Sequence, residues 1–413
     1  MIPSDLRPDL RWLGSGFMLM LLSGFGQTFY VAIFAGQLRA ELQLSNGEFG
    51  GLYTAGTLAS AAVLTWAGRF ADTVAIRWLG AGVITGLACA ALAMALVPTA
   101  ATLAGVFFLL RFFGQGMCTH TAMTAMGRWF NRKRGRAVAI AGLGLPAAEA
   151  LLPPLAVAGI ALLGWRTTWL VSAVLLAVIA VPLFAGLLRN ERHPELGPRA
   201  AAGPDTDVPV VHWTRRDVLA SGLFYALLPG VLAPPFIVTA VFFNQVELVA
   251  GKGWELAWFA AWFPLLAALH VVSSLLTGWL IDRIGARRLL PFMLLPLGAG
   301  VLLLAAIDSR WILPAAIALI GVTIGCSAAV SGALWAELYG TLHLGAIRAM
   351  VAGAVVLASA IAPGLVGVLL DAGISLDAQF LFLSGYCLAA SAWMSLLRGG
   401  LEHIARPAGP ASN

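Results

Sequence analysis

Apolar runs of about twenty residues or more follow one another along almost the whole chain, separated by short polar breaks. Each is long enough to cross a hydrocarbon core of roughly 30 Å as an α-helix. Only 11% of the residues are charged, whereas a soluble domain carries roughly 25%. So few charges cannot cover a water-facing surface, so most of the surface must face lipid. In lipid every backbone amide needs a partner inside the protein, which leaves helices or closed barrels. The runs are continuous and do not alternate as barrel strands do. The expected fold class is an all-α membrane protein.

The pattern predicts twelve transmembrane helices, near residues 13–37, 47–67, 78–97, 102–126, 136–163, 167–188, 217–246, 255–281, 289–307, 311–335, 346–370 and 378–398. The stretch Arg189 to Arg216 (RNERHPELGPRAAAGPDTDVPVVHWTRR) holds proline, glycine and charges without an apolar period, and reads as a linker. The expected organisation is a six-helix bundle over 1–188, a linker over 189–216, a second six-helix bundle over 217–398 and a tail over 399–413. No short apolar core followed by a small-residue cleavage site opens the chain, so the first run is expected to be a retained span.

The two halves repeat. GRFADTVAIR (Gly68 to Arg77) and GWLIDRIGARR (Gly278 to Arg288) each place an aspartate four residues after a glycine, and Asp72 and Asp282 lie 210 residues apart. The same offset relates Arg77 to Arg287, Gly135 to Gly345 and Pro153 to Pro363. A duplicated set of membrane spans points to a transporter.

Charge sets the orientation. With the N-terminus inside, 20 of the 25 Lys and Arg residues fall on cytoplasmic segments, and the outer side holds only Arg39, Arg166, Lys252 and Arg310. Both termini and the linker are therefore expected in the cytoplasm of a multi-pass plasma (inner) membrane protein. The basic balance, with a pI of about 9.5, needs no nucleic acid to explain it. The cluster Arg128, Arg132, Lys133, Arg134 and Arg136 reads as a positive-inside anchor, and secondarily as a contact for anionic lipid. Cys89, Cys118, Cys326 and Cys387 lack metal-ligand spacing and read as small buried apolar residues.

These residues resemble the major facilitator superfamily. GWLIDRIGARR matches that family's loop motif nearly in full, whereas in the first copy Thr73 and Ala75 replace a basic residue and a glycine. WAELYGTLHLGAIRAM (Trp335 to Met350) is similar to the start of the family's eleventh span. The resemblance implies two bundles of six helices that rock about a central site. It also implies a cytoplasmic gate in which Gly68, Asp72 and Arg77, with Gly278, Asp282 and Arg283, meet the helix starts at Arg136 and Arg348. A carboxylate at a helix N-terminus beside an arginine is favourable by about 0.3–1 kcal/mol or more.

A narrower likeness is to monocarboxylate and oxalate–formate type porters, carried by RWFNRKRGRAVAIAGLG (Arg128 to Gly144). RFFGQG (Arg111 to Gly116) resembles the family's fourth-span motif, with Gln115 and Gly116 one position late. Leu145 and Glu149 stand where the proton antiporters carry glycine, which argues against that class.

Arg111, His120, Glu149 and His270 fall near the middle of spans, where a charge costs about 2.5–3.5 kcal/mol on insertion scales. Such residues are expected to face the bundle interior. Arg111 and Glu149 lie on adjacent spans and could form either a fixed ion pair or a coupling device in which an anion displaces Glu149 and Glu149 takes the proton. His270 suits a proton switch or an anion contact. His120 lies nine residues from Arg111, about 180° around a helix, and ranks lower. Gln27, Tyr30, Gln115 and Asn244 are candidate substrate contacts, and Thr28, Tyr225 and Gln245 are further polar candidates to complete the site. Pro229, Pro234 and Pro235 are expected to interrupt the seventh span.

The leading expectation is a secondary active transporter that couples a small, monocarboxylate-like organic anion to protons. Proton-driven efflux of lipophilic or cationic compounds is the alternative, and a non-transporting membrane sensor is the alternative of another class. There is no P-loop, HExxH or GxSG motif, so neither an enzyme nor a cofactor is expected. The expected partners are a small-molecule substrate, protons and the lipid bilayer, with no nucleic acid and a monomeric chain.

Overall fold

The computed structural model describes residues 9–130, 133–190 and 213–397. Most of the expected linker, the expected tail and Arg132 of the basic cluster lie outside these residues. The described chain is helical, with no strand. We number the twelve spans α1 (Leu10–Gly26 continued by Thr28–Leu42), α2 (Asn46–Ala67), α3 (Ile76–Ala95), α4 (Ala100–Trp129), α5 (Arg134–Leu163), α6 (Trp165–Leu187), α7 (Gly222–Phe243), α8 (Leu256–Ile284), α9 (Ala286–Ala306), α10 (Arg310–Tyr339), α11 (Leu344–Asp371) and α12 (Leu376–Leu396). Ten are long and apolar enough to cross a membrane singly, and α1 qualifies when its two parts, bent by 45°, are joined. α2 is 22 residues long, but its glycines, threonines and serine dilute its apolar character.

Local chemistry sets the ends. Ser45 and Glu48 form a capping box at the start of α2, and Thr99 and Thr102 form another at α4. Gly164 (φ 81°) makes the one-residue turn from α5 to α6 in a conformation that other L-residues avoid. The prolines of α7 do not interrupt it, contrary to expectation: the helix runs from Gly222 to Phe243 through all three. The carbonyls of Ala226 and Pro229 accept hydrogen bonds from Trp393 Nε1 and Tyr386 Oη of α12, each at 2.9 Å, which tie α7 to α12.

The described helices fall into two compact units. The first contains α1 to α6 together with residues 242–264 and 363–372, the ends of α7, α8 and α11 expected outside. Within it α1 packs on α4 and α5, α2 on α4, and α3 on α6. The second holds the remainder of α7, α8 and α11 with α9, α10 and α12, and α9 packs on both α10 and α12. The pairs α3/α6 and α9/α12 correspond under the repeat. Large apolar residues such as Leu162, Leu275 and Phe382 are exposed on span surfaces, as lipid-facing positions require. Cys118 and Cys387 are buried as expected, but Cys89 is exposed on α3. Exposed tryptophans near span ends carry arginines over their rings, with Arg283 3.8 Å above Trp279 and Arg69 5.3 Å above Trp66.

Candidate substrate site

The site forms where two helices of the first unit lose α-geometry. In α1, residues Ser23–Gly26 tighten to a 3₁₀ turn and Gln27 is extended (φ −82°, ψ 152°) before the helix restarts at Thr28. The sequence SGFGQT explains this, because two glycines weaken a helix and tolerate close approach. In α4, Leu110–Cys118 is π-helical over nine residues. Such segments occur often at functional sites. The two irregular stretches cross at glycines: a Cβ on Gly26 would overlap the carbonyl of Leu110, and one on Gly114 would sit 2.6 Å from the Gly26 Cα.

Arg111 lies in this crossing and is 2% exposed. Its Nη1 donates to the Gly26 carbonyl at 3.2 Å and to Thr28 Oγ1 at 3.5 Å. Its guanidinium carbon sits 5.4 Å above the Tyr53 ring, and the Tyr53 hydroxyl is 2.8 Å from Thr28 Oγ1. The buried Nε has no hydrogen-bond partner. A carbonyl, a hydroxyl and an aromatic face thus hold the cation, and none of them neutralises it.

Glu149 is also buried, at 6% exposure, but it is not among Arg111's partners. Its neighbours Ala148 and Leu152 pack on Gly24, two residues before Gly26, and Glu149 has interactions of its own. Of the two arrangements left open by the sequence, the fixed ion pair is absent from this structure.

The other candidates divide. Gln27 and Gln115 are half-buried at the crossing, where the Gln115 backbone amide nitrogen lies against Gly26. Tyr30 is not brought there. Its ring packs on Phe25, Phe34 and Trp169, and its hydroxyl lies 3.3 Å from Ser172 of α6. Asn244 is buried next to the outer ion pair Arg39–Glu247 (2.9 Å), where it lines a small cavity with Phe49 and Phe243. His270 belongs to the second unit, at the crossing of α8 with α10, where Gly325 packs on the His270 carbonyl. Tyr53 was not singled out from sequence. Thr28 and Gln245 were polar candidates: Thr28 meets Arg111, whereas the buried Gln245 Nε2 donates to the Phe29 carbonyl at 3.0 Å.

The gating candidates sit at the basic ends. Asp72 and Asp282 are exposed, and neither carboxylate makes a hydrogen bond or ion pair among the described residues. Arg77 lies over Trp78 at 4.8 Å, and Arg348 donates to the Gly332 carbonyl. Gly68 ends α2 and Gly278 lies within α8. Arg136, at the start of α5, is exposed and has contacts of its own.

The chain beside each aspartate is gripped by the fourth helix of each half, through groups assigned other roles, or none, from the sequence. His120 Nε2 donates to the Gly68 carbonyl at 3.0 Å, and Arg128 Nη1 donates to the Ala71 carbonyl at 2.6 Å. In the second half Glu337 of α10 accepts from the amides of Ala286 (2.7 Å) and Arg287 (3.3 Å), at the start of α9. Under the repeat Arg128 corresponds to position 338, next to Glu337. One half grips its loop through carbonyls and the other through amides.

Two buried helix interruptions around an unneutralised arginine, in a duplicated twelve-helix fold, define a membrane protein with a buried polar site in its first unit. The profile of the Major Facilitator Superfamily matches residues 16–273, more than half of the chain, and the chain belongs to that family. Similar solved structures include a bacterial homolog of the human lysosomal transporter Spinster, inward-facing and occupied, at TM-score 0.70 and 14% identity over 99% of this chain and 100% of that one. The unoccupied inward-facing form of that homolog gives TM-score 0.71 at 14% identity, with the same coverage. No curated protein matches the sequence. The chain is an integral multi-pass membrane protein.

Proposed function

We propose that this chain is a secondary active transporter of a small organic anion, that it works by alternating access, and that Arg111 binds the anionic group. The carrying observation is the Arg111 guanidinium itself, buried with its Nε unpartnered at the crossing of two interrupted helices. Leaving a buried charge uncompensated costs on the order of 3–5 kcal/mol. A carboxylate of the substrate would relieve that cost and form a charge-assisted, bidentate pair with the free edge of the guanidinium. Gln27 and Gln115 stand close enough to the crossing to contact the rest of a small substrate. No catalytic step on the substrate is proposed.

Coupling to protons is assigned to Glu149, with His270 as a second candidate. Glu149 is a buried acid that does not neutralise Arg111, so it can change protonation without first breaking that pair. Asp72, Asp282, Arg77, Arg283, Arg136 and Arg348 are assigned to the cytoplasmic gate, where the exposed carboxylates would engage in another state of the cycle. Both termini and the linker are placed in the cytoplasm, and the chain is placed in the plasma (inner) membrane as a monomer.

The test is flux. Liposomes with an internal pH dye would be challenged with lactate, succinate and lipophilic cations, against matched empty liposomes, because weak acids cross lipid unaided. Protein-dependent proton entry with an anion, lost in Arg111→Gln, is the expected result. Proton release driven by cations, with Arg111 dispensable, would replace this reading with efflux centred on Glu149.

A further inference from the structure

We infer that the start of α3 carries a site for a phosphate group, held by Arg77 and Arg134 in the space beside Gly127. The site lies within the first unit, separate from the Arg111 crossing, and its test does not depend on the transport reading.

The second half shows what this position holds when the chain fills it from within. Glu337 of α10 accepts from the amides of Ala286 at 2.7 Å and Arg287 at 3.3 Å, and its carboxylate lies 3.4 Å from Arg287 Nε. One anion thus caps the start of α9 and neutralises an arginine in its first turn. An anion at a helix start is favoured by the unpaired amides and by the helix dipole.

The first half repeats this arrangement without the anion. The offset of 210 places Ile76 and Arg77 on Ala286 and Arg287, so α3 and α9 begin at matching residues. The same offset places Gly127 on Glu337, and a glycine supplies no acceptor side chain. Ala75, the residue before α3, makes no side-chain cap either. Arg77 Nε is the counterpart of the paired Arg287 Nε. It is buried and has no hydrogen-bond partner among the described residues. A buried guanidinium nitrogen without an acceptor is costly, so the position favours an anion brought from outside the chain.

The surroundings select the kind of anion. A Cβ on Gly127 would sit 3.1 Å from Arg134 Nη2, so a second guanidinium occupies the space a glutamate would enter at this position. Glu337 serves two amides and one arginine. The first half offers an additional arginine at the matching place. A phosphate group carries more acceptor oxygens than a carboxylate and pairs with guanidinium in the same bidentate way. The Arg77 guanidinium lies 4.8 Å above the ring of Trp78, which is exposed. Exposed tryptophans mark the headgroup level of a bilayer, so both a phospholipid headgroup and free phosphate in the adjoining water can reach the site. Bound there, the phosphate would tie the start of α3 to α5 through Arg134, as Glu337 ties α9 to α10.

The test is ligand-dependent thermal stability of the full chain. The protein would be melted in neutral detergent with inorganic phosphate, against chloride at the same ionic strength, and in mixed micelles with phosphatidylglycerol, against phosphatidylcholine. A rise in Tm of roughly 2–4 °C over the matched control is expected. A rise in both arms assigns the site to the phosphate group from either source, and a rise with phosphatidylglycerol alone assigns it to a lipid headgroup. Gly127→Glu restores the internal carboxylate. The obstacle to its side chain is the far end of Arg134, which can swing aside, so this variant should melt above the parent and lose most of the rise. Gly127→Gln adds the same bulk without the charge and should keep at least half of it. Arg77→Gln should abolish it. No rise in the parent with either ligand, or equal rises in the parent and Gly127→Glu, would overturn the site. Should Gly127→Glu fail to fold, Arg77→Gln decides, and an undiminished rise there overturns the site.

Discussion

Gly26 and Gly114 meet backbone to backbone, so close that a Cβ on Gly114 would lie 2.6 Å from the Gly26 Cα. The contact brings the interrupted stretch of α1 onto the π-helical stretch of α4. It also puts the Gly26 carbonyl within 3.2 Å of Arg111 Nη1. The glycines therefore govern both packing and chemistry at the site.

Gly114→Ala should destabilise the protein by about 1–3 kcal/mol, the usual penalty for overpacking a tight interior contact. A thermal melt of the purified variant in detergent checks this. Gly135→Ala, where nothing lies within 4 Å of the added Cβ, is the matched control and should melt like the parent.

Tyr53→Phe keeps the ring beneath Arg111 and loses the hydroxyl contact with Thr28. Its effect should stay within the roughly 0.5–1.5 kcal/mol of one neutral hydrogen bond. Tyr53→Leu also removes the ring beneath the cation and should weaken anion uptake further, measured as the apparent KM of flux.

Glu149→Gln should leave anion exchange between the two sides measurable while making it insensitive to an imposed pH gradient. Retained pH dependence would move the proton elsewhere, with His270→Gln as the next variant to assay.

Glu337→Gln replaces the charged acceptor at the start of α9 with a neutral one. Charge-assisted bonds contribute about 1.5–3 kcal/mol, roughly twice a neutral one. Amide hydrogen exchange of Ala286 and Arg287 should accelerate about three- to tenfold, with little change in α3 as an internal reference.

Asp72→Asn should slow transport without preventing membrane insertion, since the carboxylate has no partner to lose among the described residues in this state. Full transport in this variant would remove Asp72 from the gate.

The helix count, the half-length repeat and the importance of Arg111 were legible in the sequence, because each rests on apolar run length or on a charge where a charge is expensive. The partners of Arg111 were not. Helical periodicity treats Gln27, Thr28 and Tyr30 as one continuous face, but the extended Gln27 resets the phase of α1. Thr28 then faces Arg111 and Tyr30 turns to Trp169. Tyr53 gave no signal, because an aromatic residue in a membrane helix is unremarkable by composition. The prolines of α7 misled for a related reason. Proline marks a weak point, but α7 stays helical through all three prolines and is tied to α12 by the Tyr386 and Trp393 bonds.

The most direct test of the account is anion-driven proton flux in liposomes for the parent and for Arg111→Gln, side by side. The account predicts protein-dependent, saturable flux in the parent and an apparent affinity weaker by about tenfold or more in the variant, the loss of a charge-assisted bond at about 1.5–3 kcal/mol. Equal flux of the same anion in both proteins would contradict it, because the buried guanidinium would then have no part in binding.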